Sequence, residues 1–220
     1  MTQASQNDAP GASLFPQYGP DMYAMVASEV EGLTDPQLDW ESDRWEWSKW
    51  SIRRQVSHMS SFVKGWLIQR WGDQLFPNGT GHLGEIAEFD RSPAGSWLNE
   101  DRFWDISVLL EQWENSIDVA LRVLEAETVG SMQVKRVTAP GASEFWRLAV
   151  PAHDTGVSYD PADSDSLVLT LEGTFRHIYY EFTTHLHNIL RLKRAQGLST
   201  TVDIPREGYW VMSTWDRSEP

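Results

Sequence analysis

Four stretches of this chain repeat apolar residues at spacings of three and four, and that period constrains the fold more than any other feature. Residues so spaced line one stripe of an α-helix and need a partner surface to cover them. The first stretch runs over about 20–32, with Met22, Val26, Val30 and Leu33 on its stripe, Pro20 and Asp21 in the first turn and Gly32 at the end. The second covers about 52–72 behind Ser51 as N-cap, with Ile52, Val56, Met59, Val63 and Trp66 on the stripe and Gly72 as the stop. The third, about 100–127, carries Phe103, Ile106, Leu110, Trp113, Ile117, Ala120 and Leu124. The fourth, about 168–196, carries Phe175, Ile178, Phe182, His185, Ile189 and Leu192 and ends at Gly197. An all-α antiparallel four-helix bundle is the simplest way to bury four such stripes.

The segments between are less regular. A polar linker with Trp40, Trp45 and Trp47 covers 34–49, and a long loop rich in glycine and proline covers 73–99. Residues 129–150 read as a short hairpin, Met132–Val137 against Phe145–Val150 around Ala139-Pro140-Gly141-Ala142, followed by an Asp-, Ser- and Gly-rich loop to Ser166. The domain reading is a disordered leader over 1–14, the bundle over 15–197 and an extended aromatic tail over 198–220. Trp210, Val211 and Met212 of that tail lie beyond the last helix, so they are expected to be exposed and to form a homodimer contact.

With 220 residues, 40% of them hydrophobic, the chain has enough material for a substantial core. A net charge of −14 opposes phosphate backbones and anionic membranes, so neither nucleic acid nor membrane is expected as a partner. No apolar run approaches the length of a membrane span, and residues 1–14 lack the pattern of a secretory signal. There is no cysteine, which excludes a thiolate ligand or a cysteine nucleophile and fits a cytoplasmic location.

The chemistry concentrates on the fourth helical stretch. His185 occupies a seam position where Leu or Ile would be ordinary, and Glu181 lies one turn earlier, only about 40° away around the helix. Two readings are open for the pair: a clamp for one cation, or a buried Glu–His hydrogen bond without metal. His58 lies at the border of the second stretch's apolar face and gains interest as a third ligand from a facing helix. His187 points about 200° from His185 and is expected to be exposed. His177, one turn before Glu181, is expected in a supporting or surface position, or in place of one ligand; His82 and His153 are expected to be solvated. Trp40, Trp45, Trp47 and Trp50 either pack on helix ends or line a cleft. The long loop and the polar linker adjoin the ends of the second helix, and one or the other is expected to wall a cleft beside His58.

These residues also carry a resemblance. Gly32-Leu33-Thr34-Asp35-Pro36-Gln37-Leu38-Asp39-Trp40, then Trp50-Ser51-Ile52-Arg53 through Val56-Ser57-His58-Met59, then Tyr180-Glu181-Phe182-Thr183-Thr184-His185-Leu186-His187-Asn188-Ile189, resemble in order the DinB/YfiT-like metal-binding four-helix bundles. The resemblance spans about 20–72 and 100–197. It implies a divalent metal held by His58, Glu181 and His185, with Glu181 standing where the family usually has a histidine. Zinc is the first expectation, with nickel, iron or manganese as alternatives. It further implies a metal-dependent transferase or hydrolase acting on a small-molecule substrate with a low-molecular-weight thiol or water. The alternative is a non-enzymatic ligand-binding or stress-related bundle. Because the chain has no cysteine, a thiolate nucleophile would have to arrive as a cosubstrate.

Overall fold

Capping residues set the starts of the principal helices. Gly19-Pro20 opens α1 (Pro20–Val30). The Ser51 hydroxyl accepts the Arg54 N–H at the start of α2 (Ile52–Lys64). The Asp105 carboxylate accepts the Ser107 N–H before α3 (Ile106–Ala126), and the Thr170 hydroxyl accepts the Gly173 N–H before the longest helix, Leu171–Ala195. The computed structural model describes residues 7–93 and 95–220. The second helix does not stop at Lys64: a π-helical turn, Gly65–Arg70, carries it to Trp71, and a further turn covers Gly72–Leu75.

The interval between α3 and the longest helix departs from the expected hairpin. Thr128 forms a capping box with Ser131, and the segment becomes α4 (Val129–Val134). Ser143 caps Trp146, with Glu144 in the first turn, so Phe145–Val150 falls largely in α5 (Glu144–Ala149). The strand between them, β1 (Arg136–Pro140), pairs instead with β3 (Asp163–Thr170), which also pairs with β2 (Val157–Asp160). The fold is therefore mostly helical with a three-stranded antiparallel sheet, order β1-β3-β2, and not all-α. The sheet forms because β3 has a two-residue period, Leu167 and Leu169 buried and Val168 turned the other way. β3 leads directly into α6 (Leu171–Ala195). At that junction Gly173 lies against Gly156, where a Cβ would stand 2.2 Å from the Gly156 carbonyl oxygen.

The four long helices share one core. α2 packs on α3 and α6, and α1 packs on the same two. Trp113 of α3, fully buried, stacks on Phe182 of α6 at 5.7 Å. The centre of the α3 face lies at Leu109, which is buried, and Leu110 is only half-buried.

Both chain ends differ from their expectation. Within the expected leader, residues 7–14 dock on the α3–α4 junction: Gly11 N–H donates to the Glu127 carbonyl, and Val129 N–H donates to the Ala9 carbonyl. Residues 1–6 lie outside the described part. The tail folds back over α6. Tyr209 and Trp210 are buried, and the Trp210 ring stacks on His187 at 4.1 Å. Of the three tail residues expected at a dimer contact, Val211 alone is exposed. His187 and His153 are buried, against the expectation of solvent contact, because the tail and the α5 region cover them; His82 is exposed as expected. Among the described residues no helix is long and apolar enough to cross a membrane.

Candidate metal centre

His58 comes from the middle of α2, and Glu181 and His185 come from successive turns of α6. Because α2 packs directly on α6, the three side chains meet. One ligand atom from each lies within 4.8 Å of the other two. Glu181 Oε2 stands 3.2 Å from His185 Nε2 and 3.7 Å from His58 Nε2, and the imidazole centroids are 4.4 Å apart. All three are buried, at 7%, 9% and 8% exposure for His58, Glu181 and His185.

Neighbouring hydrogen bonds decide which nitrogens face inward. His58 Nδ1 lies 2.8 Å from the Ser96 carbonyl, which only accepts, so Nδ1–H donates. His185 Nδ1 lies 2.5 Å from Gln55 Oε1. The Gln55 amide is oriented by its other end: Nε2 donates to the Trp50 carbonyl at 3.3 Å. Asn188 adds a second constraint. Arg191, a permanent donor, donates to Asn188 Oδ1 at 2.5 Å, which turns Asn188 Nδ2 toward Gln55 Oε1 at 3.5 Å. Gln55 Oε1 is thus an acceptor, and His185 Nδ1–H donates to it. In their neutral forms both histidines therefore present Nε2 lone pairs to Glu181.

The charge state agrees with this arrangement. Burial pushes the Glu181 carboxyl up, but the close imidazoles of His185 and His58 and the nearby His177 outweigh burial and hold it well below the usual carboxylate range. Burial and the neighbouring His58 push His185 down, with Glu181 opposing. An ionised carboxylate beside a neutral imidazole is the protonation state that metal binding requires. Three converging acceptors have no proton to share, and a divalent cation fits that need. Two imidazoles and a carboxylate match catalytic zinc and the facial iron triad. Among the described residues no fourth carboxylate or histidine joins the group.

His177 stands apart. Its Nδ1 meets the Tyr209 hydroxyl at 2.5 Å, and its ring is boxed by Phe62, Trp66 and Trp146. His153 Nε2 bonds the same hydroxyl at 2.9 Å. Trp50 belongs to the centre: its ring is parallel to His185 at 5.9 Å and lies 5.1 Å from His58. Trp45 and Trp47 stack on each other at 4.8 Å. The long loop contributes as expected. Arg91 and Ser96, with His58, Phe62, Trp66 and Arg70, line a cavity of about 460 Å³.

Gln55, Asn188 and Ser96 are the residues that sequence reasoning missed. Gln55 lies three residues before His58 and Asn188 three after His185, on the same helix faces, so polar residues at buried positions were the available signal. Nothing in the sequence marks the Ser96 carbonyl. Compared with known proteins, the chain matches no family model, no curated protein and no solved structure.

Proposed function

We propose that the protein is a metal-dependent transferase or hydrolase built on a DinB/YfiT-like four-helix bundle, with His58, Glu181 and His185 holding one divalent cation. The observation that carries this reading is the convergence of three acceptors whose outer nitrogens are already committed to Ser96 and Gln55. The mutual packing of α1, α2, α3 and α6 supports the bundle assignment. Zinc is the first candidate by donor set, and iron, nickel or manganese also accept it.

A cation at this centre would acidify a thiol or water and so supply a nucleophile near neutral pH. The chain's own groups supply the rest. Glu181 offsets one unit of positive charge, Gln55 and Ser96 hold the imidazoles, and Trp50 covers both rings. With three protein ligands the coordination shell has room for a small molecule, and His58 connects the centre to the cavity. A thiolate nucleophile arrives as a low-molecular-weight cosubstrate, since the chain has no cysteine, and water is the alternative.

The test is elemental analysis of protein purified without a metal-affinity tag, followed by cobalt substitution and titration with a small thiol. The expected result is one metal per chain and a thiol-dependent change in the cobalt visible spectrum. Metal-free protein that does not take up zinc or cobalt would instead leave Glu181 and His185 as a hydrogen-bonded structural pair.

A further inference from the structure

The cavity beside His58 carries a second chemical signature, two arginines without a carboxylate. Arg70 and Arg91 both line it and both are solvent-exposed. Among the described residues neither forms an ion pair, and no carboxylate lines the cavity they share. Partial burial lowers the pKa of both guanidiniums, Arg70 adds to the effect on Arg91, and no carboxylate pulls either back up. Two like charges facing one cavity without a counter-ion favour the entry of an anion there.

The local backbone is shaped to bring them there. In an unbroken α-helix Arg70 would lie about 120° around the axis from His58. The π-helical turn Gly65–Arg70 inserts roughly one extra residue, which returns Arg70 to within about 20° of the His58 face. Arg91 crosses over Gly65: a Cβ on that residue would sit 2.3 Å from Arg91 Nη2. Arg91 is anchored by Nε donating to Ser61 Oγ at 3.1 Å and by Nη2 donating to the Ser61 carbonyl at 3.3 Å. Arg70 lies over the Trp66 ring at 4.9 Å and donates to the Thr138 carbonyl at 3.4 Å. Each guanidinium retains N–H groups beyond these bonds, and paired guanidiniums match the oxygens of a carboxylate or phosphate.

We infer that Arg70 and Arg91 form an oxyanion subsite, so that the substrate of the His58 centre is a small organic acid or phosphate ester bound by its anionic group. Ser61 and Gly65 lie three and seven residues beyond His58, which puts the anionic group about 5–10 Å along the helix axis from the metal ligand. A molecule of that span, with its reactive end at His58 and its charge at the arginines, fits the cavity. The Phe62 and Trp66 rings give its middle an apolar wall. This inference rests on the proposed metal centre for the reactive end, but the oxyanion subsite does not need the metal to bind.

That independence defines the experiment. Succinate and inorganic phosphate are titrated calorimetrically into the full chain, both metal-loaded and metal-stripped, and into Arg70→Gln, Arg91→Gln and Arg44→Gln. Arg44 lies outside the cavity and serves as the charge-matched control. Binding of at least one of the two anions is expected, weakened tenfold or more in Arg70→Gln and Arg91→Gln, unchanged in Arg44→Gln, and retained in stripped protein. The preferred anion then names the carboxylate or phosphate class. Absence of binding by folded wild-type chain, or equal weakening by all three substitutions, overturns the subsite while leaving metal uptake intact. Arginine-dependent binding in a chain that takes up no metal would overturn the metal centre and keep the subsite. If Arg91→Gln does not fold by circular dichroism, Arg70→Gln, whose one side-chain hydrogen bond among the described residues is to the Thr138 carbonyl, decides the matter.

Discussion

Gln55 is a neutral side chain, yet it governs which nitrogen of His185 faces the centre. Its Oε1 accepts from His185 Nδ1, and Trp50, Asn188 and Arg191 fix its orientation. Gln55→Leu removes that acceptor with a side chain of similar bulk, and His185 is then free to turn or change tautomer. Loss of such outer partners typically weakens metal affinity about 10- to 100-fold. That weakening is the expected outcome, measured by competition with a chromophoric chelator, with helical content unchanged; affinity equal to wild type would show that Gln55 does not orient the ligand. His185→Ala separates the site from the core. It should abolish metal uptake while destabilising the fold less than Leu109→Ala, for which burial predicts a cost of about 2–5 kcal/mol by urea denaturation. Glu181 and His185 were legible because helix spacing places them on one face, with His185 a polar intrusion in an apolar stripe and Glu181 at its edge; His58, at the border of its own stripe, entered through the resemblance as a third ligand from a facing helix. Their supporting carbonyl, Ser96, sits in an aperiodic loop, where spacing carries no information about direction.

Glu29 ties three elements together. It lies in α1 and is fully buried; its carboxylate accepts from Lys193 Nζ of α6 at 2.6 Å and from the backbone N–H groups of Thr201 and Val202 at 2.6 and 2.7 Å. Removing one partner of a buried ion pair strands the other, at a cost of about 3–5 kcal/mol. Glu29→Ala is therefore expected to lose about that much stability in urea and to increase hydrogen exchange at Thr201 and Val202. Unchanged exchange there would mean that Glu29 does not hold the start of the tail. The long helices were readable from their period and caps to within a few residues, except that the third begins at Ile106, later than expected. The sheet was not readable because the first half of β3 is polar and its apolar pair, Leu167 and Leu169, runs straight into α6, so a loop reading and a helical period absorbed it. The caps at Thr128 and Ser143, by contrast, were visible signals that a hairpin reading passes over. The tail's docking depends on long-range partners, Tyr209 with His177 and His153 above all, which no local pattern displays.

The whole molecule faces two opposing effects when acidified. A chain of net charge −14 repels itself at neutral pH, and protonation relieves that repulsion. Against this, burial pushes His187 down to about 4, with Pro205 opposing and nearby arginines reinforcing, and burial pushes His153 down to about 3, with His177 and Arg176 adding to it. A histidine whose pKa is lower folded than unfolded stabilises the fold fully above the unfolded value near 6.5, and that contribution is lost as pH falls toward the folded value. Each pKa unit is worth about 1.4 kcal/mol, so two buried histidines outweigh surface repulsion between charges that salt largely screens. Stability is therefore expected to fall between about pH 6.5 and 4, before most carboxylates titrate. The measurement is the thermal midpoint against pH in 0.15 M salt, for wild type and for His187→Gln, chosen because the His187 ring stacks under Trp210 of the tail. The substitution should lower the midpoint at pH 7 but flatten its decline over this interval. A wild-type midpoint that rises on acidification, or a variant whose slope matches wild type, would show that charge repulsion and not histidine burial governs the acid side of the stability curve.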